Sequence, residues 1–310
     1  MRIARVEALG GGRVGLVDGE QVRLLAEGTD VLDVLRDPGS ARPTGEAVAV
    51  HRARLLPPLD PPSIRDFLTF EQHVEGMVRL HRPPRDVHPR WYEAPTFYFS
   101  NPHSLVGAHD DVAIPPGCEL LDYELEVAAV VGRDGRDLTP EAAREHIAAY
   151  TILNDWSARD LQFEEMQVGL GPAKGKDSAI TLGPWLVTTD ELEHHRRDDR
   201  LDLAMEVSVN GERIGGDSLA NMAWSFEDLV AYASRGTWVR TGDVLGSGTC
   251  GGGCLAELWG RSGRREPRPL EVGDVVTMTV EGIGAISNRV VAGSAPVPVP
   301  RAASTHAEVG

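Results

Sequence analysis

The 310 residues carry 47 acidic against 31 basic side chains, a formal net charge of −16, with 41% hydrophobic and 25% charged residues; that balance excludes a disordered chain and leaves room for a large core or a main domain with a smaller partner. No sustained Lys/Arg run exists to meet a phosphate backbone and no apolar window is long enough to span a bilayer, so neither a nucleic acid nor a membrane is an expected partner. The 34 glycines and 21 prolines, against 5% aromatics, favour short strands and many turns over a helical bundle.

The chain opens without an apolar leader, which with only three cysteines points to a cytoplasmic setting. Alternating patterns predict strands at 2–9, 13–19 and 20–26 and a short helix at 29–36. This small β-rich module is assigned to residues 1–58, ending in the proline-rich "LLPPLDPP", which neither a helix nor a central strand can cross. A main domain, 59–292, follows. Its first periodic stretch, "DFLTFEQHVEGMVRL", predicts a helix over 66–80, with Phe67, Phe70, Val74 and Met77 on one face. The polar segment 81–95 has no periodicity and reads equally as a mobile lid or a surface excursion. "LLDYELEV" at 120–127 predicts a strand, and "TPEAAREHIAAY" predicts a helix over 139–150 with Thr139 as cap and Pro140 at its first position. "YTILNDWS" returns as a strand and "SARDLQFEEM" as a short helix. Further strands are expected at "PWLVTT", "LAMEVSVNGERI", "DVLGSG", "LAELWG", "DVVTMTVEG" and "GAISNRVV", with Asn210–Gly211 as a hairpin turn. "WSFEDLVAYAS" is the main late helix, capped by Ser225. Residues 293–310 have nothing with which to build a core and are read as a disordered tail.

Carboxylates mark the chemistry. In a regular strand Asp122, Glu124 and Glu126 share one face, neighbours about 6 to 7 Å apart. Dry and unpaired, such a row is costly, because burial and mutual repulsion both disfavour charge. An edge strand facing solvent removes the conflict, and so does a bound cation. Asp155 at the end of another apolar strand, and Asp66 just past the proline-rich linker, supply further oxygens from separate elements. An all-oxygen set suits Mg²⁺ or Mn²⁺, with Ca²⁺ possible, and argues against zinc. Cys250 and Cys254, separated by three glycines, find no second Cys/His pair that would complete a zinc site.

These motifs, in this order, resemble the fumarylacetoacetate hydrolase family over residues 60 to 291. The likeness rests on "E-x-E" at Glu124 and Glu126, an Asp at a strand end at Asp155, the run "NDWSARDLQ", and the glycine-rich "GTCGGG". The resemblance implies a mostly β fold with short helices, a mixed β-sandwich or roll behind a small β-rich N-terminal domain. It also implies a homodimer and metal-dependent cleavage of a C–C bond in a dioxo or 2-oxo acid, such as an acylpyruvate. Decarboxylation or hydration/isomerisation of a 2-oxo acid uses much of the same equipment. On this likeness the metal ligands fall on Asp66, Glu124, Glu126 and Asp155. The base falls on His73, seven residues after Asp66, with Glu257 of a strand at "LAELWG" as its partner. Arg159, Gln162 and Lys176 fall on the oxyanion-stabilising set. Tyr98, Asn101 and Thr249 are candidates for substrate binding, and Arg79 and Arg82 for the substrate's side group. Asp122 is expected to support the site without being a ligand. Leu68 stands where that branch places a substrate-facing Tyr, so fumarylacetoacetate itself is not the expected substrate.

Overall fold

The structure is a computed structural model that describes residues 1–8, 11–81 and 83–303. A 12-stranded sheet forms its backbone. Along the main path lie Pro43–Ala49, Gln21–Leu25, Gly11–Asp18, Arg2–Ala8, Ile180–Thr188, Ile147–Asp155, Leu125–Val131, Val244–Gly246, Ile64–Phe67 and Phe97–Ser100. A second, five-stranded sheet runs Glu212–Ser218, Ala204–Val209, Val275–Val280, Gly284–Val291 and Val112–Ala113.

Apart from Glu126, the run Leu125–Val131 is apolar, and burial on both faces explains it. Leu125, Val127, Ala129 and Val131 share a core with Met205, Val207, Met278 and Ile286 of the second sheet. Ala128 and Val130 turn the other way, toward a core completed by Val31, Val34 and Leu35 of the helix Val31–Arg36. Alternate side chains therefore serve two cores, and the strand reads as continuous hydrophobicity instead of alternation. The N-terminal module does not close a sheet of its own. Arg2–Ala8 pairs antiparallel with Ile180–Thr188, Arg2 facing Val187 and Ile3 facing Leu186, so the module extends the main sheet.

Several expectations are met closely. Asn210 and Gly211 both adopt positive φ (55° and 82°) at the hairpin between Ala204–Val209 and Glu212–Ser218, as a two-residue turn of this kind requires. Ser225 and Asp228 form a reciprocal capping box on Phe226–Ser234. Thr139 caps a helix with Pro140 at its first position.

Four expectations are corrected. The helix expected over 66–80 is a strand, Ile64–Phe67, followed by a helix only at Glu71–Val78, because residues 64–67 are claimed by the edge of Val244–Gly246. The helix expected over 139–150 stops at Ala143, passes through a 3₁₀ turn, and gives way to Ile147–Asp155, which seven residues of Leu125–Val131 engage as a ladder. "LAELWG" is a helix, Leu255–Ser262, not a strand. "LLDYELEV" is not one regular strand: Leu121–Asp122 pairs with Ser157–Ala158, and the ladder resumes only at Leu125. Beyond Val291, residues 292–303 hold no helix or strand; the rest of the expected tail, like Arg82, lies outside the described residues. No helix among the described residues is long and apolar enough to cross a membrane.

Candidate active site

The candidate site gathers at the ends of four neighbouring strands. Ile64–Phe67 carries Asp66 and lies parallel to Val244–Gly246, with Asp66 opposite Gly246. A Cβ at Gly246 would come within 2.8 Å of both Asp66 Oδ1 and Glu126 Oε2, so the absent side chain is what lets the two carboxylates approach. Glu126 is the second residue of the Leu125–Val131 ladder, and Glu124 is held just before that strand by its own N–H, which donates to Asn154 Oδ1 at 2.9 Å. Oxygens of Asp66, Glu124 and Glu126 lie within 4.8 Å of one another, and all three residues are buried. Asp155 joins from the end of its strand through two bridges. Lys176 Nζ donates to Asp155 Oδ2 at 2.6 Å and also contacts Glu124. Tyr98 OH donates to Asp66 Oδ2 at 2.8 Å and also meets Asp155.

Buried together, these carboxylates shift one another's protonation. Burial and the Asp155 charge push Asp66 up to about 7. Burial and the charges of Asp66 and Glu124 hold Glu126 well above the ordinary carboxylate range. Burial pushes Glu124 the same way, but Lys176 and Arg159 outweigh it and keep that carboxyl low. The buried Oδ1 atoms of Asp66 and Asp155 find no hydrogen-bond donor among the described residues, an expensive condition for a carboxylate. Such a set, anionic, all-oxygen and partly unpartnered, fits a hard divalent cation.

Beside this group stands a second, smaller one. His73, in the first turn of Glu71–Val78, and Glu257, in the first turn of Leu255–Ser262, meet at 3.3 Å through Nδ1 and Oε2. Both are buried, at 3% and 0% exposure. Glu257 also accepts the Gly252 N–H at 2.8 Å and pairs with Arg261. The two helices cross over glycine: a Cβ at Gly76 would sit 2.4 Å from Glu257 Cγ. The ring of His73 reaches within 4.8 Å of a Glu124 oxygen and lies 3.7 Å from Cys254 Sγ through Nδ1.

Arg159 is fully buried. Its guanidinium donates to Asp122 Oδ2 (2.9 Å), Glu124 Oε1 (2.6 Å) and Gln162 Oε1 (3.0 Å). Asp122 accepts in addition from the N–H groups of Leu255 and Ala256, at 2.8 and 2.9 Å. One carboxylate thus ties the arginine at the acidic group to the start of the helix that carries Glu257. Thr249 is buried, with Oγ1 3.5 Å from Glu126 Oε1, while the neighbouring Gly248 N–H donates to Glu126 Oε2 at 3.0 Å. Asn101 spends its side chain on the lysine loop, donating to the Asp177 carbonyl at 3.1 Å and accepting from His103 N–H. The segment after Leu80 is anchored at its far end: Trp91 packs edge-on against Trp224 and donates to the Leu68 carbonyl at 2.7 Å.

Sequence reasoning missed Arg261 and the part played by Cys254. Arg261 lies four residues after Glu257, the spacing at which helical side chains pair; the signal was present but hidden by reading "LAELWG" as a strand. Cys254 caps that helix, its sulfur accepting the Glu257 N–H at 3.4 Å.

Residues 63–291 match the family described as "Fumarylacetoacetate (FAA) hydrolase C-terminal", and residues 1–58 match "Rv2993c-like, N-terminal". The mitochondrial oxaloacetate tautomerase fahd2 of Xenopus laevis is 34% identical over 188 residues, 61% of this chain and 55% of that protein. Fumarylacetoacetase of Arabidopsis thaliana is 30% identical over 241 residues, 62% of this chain and 57% of that one. The chain therefore spans little more than half the length of these curated relatives. Among solved structures, 5-carboxymethyl-2-hydroxymuconate delta-isomerase from Mycobacterium smegmatis superposes with a TM-score of 0.70 at 27% identity, covering 94% of this chain and 100% of that one.

Proposed function

Because the chain belongs to the fumarylacetoacetate hydrolase family, we propose that it is a divalent-cation-dependent hydrolase that cleaves a carbon–carbon bond in a 1,3-dioxo acid, of the acylpyruvate or fumarylacetoacetate type. The observation that carries this reading is the buried His73–Glu257 pair set against the carboxylates of Asp66, Glu124 and Glu126. Those three with Asp155 would hold Mg²⁺ or Mn²⁺, which when bound supplies a Lewis acid for the dioxo oxygens and a sink for enolate charge.

The chain's own residues supply the rest. With Nδ1 turned to Glu257, the other ring nitrogen of His73 is left to take a proton from water as the water oxygen adds to the carbonyl carbon. Glu257 fixes the ring and offsets the charge that the imidazole gains. Gly252 N–H and Arg261 in turn fix Glu257. The carbon–carbon bond then breaks with its electron pair passing to the α-carbon of the departing enolate. The proton held by His73 returns to that carbon, so one water is consumed and two fragments leave: a carboxylic acid from the attacked carbonyl and a ketone or 2-oxo acid from the enolate. Lys176 and Arg159, each with donor hydrogens among the carboxylates, are the cationic groups available to a developing oxyanion, with Gln162 orienting Arg159. Tyr98 and Thr249, next to Asp66 and Glu126, are proposed to face the substrate, and Asn101 to shape the loop of Lys176.

A second reading has its own support: the similar proteins described as an oxaloacetate tautomerase and a delta-isomerase. Proton transfer between a carbonyl α-carbon and oxygen, or decarboxylation of a 2-oxo acid, needs the enolate and one proton carrier but no attacking water. The purified protein, given Mg²⁺ or Mn²⁺ and a panel of acylpyruvates, 1,3-diketo acids and oxaloacetate, separates these by mass. Two cleavage fragments carrying one ¹⁸O from labelled water support hydrolysis; solvent-deuterium exchange without fragments, or CO₂ release, replaces it with the second reading. The homodimer rests on the family resemblance and is measured by light scattering.

A further inference from the structure

Cys254 takes no part in the reaction proposed above, yet its sulfur points at the base. Its Sγ lies 3.7 Å from His73 Nδ1, and Cys254, His73 and Glu124 each offer a ligand atom within 4.8 Å of the others. All three are buried and arrive from different parts of the fold: the cap of Leu255–Ser262, the first turn of Glu71–Val78, and the turn ahead of Leu125–Val131. Sulfur, nitrogen and oxygen together make a donor set unlike the all-oxygen group beside it. Such sets select zinc-like ions over Mg²⁺ or Mn²⁺. The spacing agrees as well. A tetrahedral zinc held about 2.3 Å from sulfur and about 2.0 Å from nitrogen separates those two atoms by about 3.5 Å, close to the separation seen here. Cys250, the other buried cysteine of the loop, is not part of this group among the described residues.

We propose that His73, Glu124 and Cys254 form a second, inhibitory site for a thiophilic divalent cation such as Zn²⁺ or Cd²⁺, overlapping the hard-cation site at Glu124. Burial keeps the Cys254 thiol protonated, so binding replaces the S–H proton with the metal and releases that proton to solvent; no electron is transferred. An ion there takes Nδ1 from Glu257, which fixes the ring proton on the other nitrogen and removes His73 from proton transfer, and it withdraws Glu124 from the neighbouring carboxylates. The protein would therefore be active with a hard cation and silenced by a soft one. Only the inhibitory consequence rests on the function proposed above; the site itself does not.

The test uses Cd²⁺ on the full chain, followed by the ultraviolet thiolate-to-cadmium charge-transfer band. The expected result is one equivalent bound with a thiolate band in the wild type and in Cys250→Ser, and no band in Cys254→Ser. His73→Ala, which leaves every cysteine in place, should weaken cadmium binding about tenfold or more, and it keeps the test decisive if Cys254→Ser does not fold. A band that survives in Cys254→Ser, or undiminished affinity in His73→Ala, overturns the site. Absence of turnover on every substrate of the panel defeats the functional reading and leaves the cadmium result standing. Where turnover is found, Zn²⁺ should inhibit it in the wild type, and Cys254→Ser should need about tenfold more Zn²⁺ for the same fractional loss; equal sensitivity overturns the inhibitory role.

Discussion

At the scale of single residues, the side chain that most repays a test is Lys176. Its ammonium is buried and bonded to two of the carboxylates proposed to hold the cation, Glu124 and Asp155. Burial alone would lower its pKa, but the charges of Asp155 and Glu124 raise it, so the group stays cationic. Lys176→Met is expected to lower turnover on the order of 10²-fold or more, the usual loss when one oxyanion donor is removed. It should also tighten Mn²⁺ binding, since a competing positive charge has gone. Titration calorimetry beside steady-state kinetics checks both, and unchanged cation affinity would contradict the arrangement described. His73→Ala should lose turnover comparably while folding normally, because among the described residues its ring has hydrogen-bonding contacts with Glu257 and Cys254 alone. Most residues gathered in the candidate site stand in short local motifs, so they were legible in the sequence as candidates, Arg261 and Cys254 excepted. Their connections were not: the two contacts of Asp122 with Arg159 and with the N–H groups of Leu255 and Ala256 join residues 37 and 133 to 134 positions apart, and no local pattern carries such pairings.

At the scale of elements, two helices decide whether the base is formed. Glu71–Val78 and Leu255–Ser262 approach closely enough that Gly260 faces the Gly76 carbonyl, and a Cβ on Gly76 would overlap the Glu257 side chain. Gly76→Ala is therefore expected to cost about 1 to 3 kcal/mol in stability, the range for overpacked interiors. It should reduce turnover more than cation binding, since Glu257 moves and the carboxylates do not. Thermal unfolding, calorimetry and kinetics on the same variant would distinguish these, and a fully active Gly76→Ala would refute the tight crossing. The crossing also explains a failure of sequence reading. Leu255, Ala256 and Trp259 are buried on one face of a helix, but eight residues framed by glycines are too few for periodicity to speak clearly, and the cap comes partly from Asp122, far away in sequence. Likewise the 139–150 pattern is helical by propensity, and the sheet overrides it because Ile147–Tyr150 fill a place between two strands.

At the scale of the molecule, the acidic group links stability to pH and to the cation. Asp66, raised to about 7 from an ordinary value near 3.8, binds its proton more tightly folded than unfolded. Between those values the native state holds protons that the unfolded chain has lost, so the cation-free protein loses stability as pH rises through this window. A divalent cation held as proposed would bind the deprotonated carboxylates and reverse that loss. The rise in Tm produced by Mg²⁺ or Mn²⁺ should therefore be larger at pH 8 than at pH 5.5, and a cation effect that is flat or falls with pH would refute the assignment. The overall fold was legible to the extent that it is built from alternating patterns and turns. The union of the two segments was not, because the pairing of Arg2–Ala8 with Ile180–Thr188 joins strands far apart in sequence, and no local pattern names such a partner.

The same long pairings set an order in time. His73 and Glu257 stand 184 residues apart, and a ribosome adding about 5 to 20 residues per second needs about 10 to 40 s between them. During that interval the first strands have emerged while the Ile180–Thr188 edge that receives them, and then the Val244–Gly246 strand that seats Asp66, are still to be made. Nascent chains of this protein therefore pass through a stage in which half of the candidate cluster has been made and the strands that complete its sheet have not.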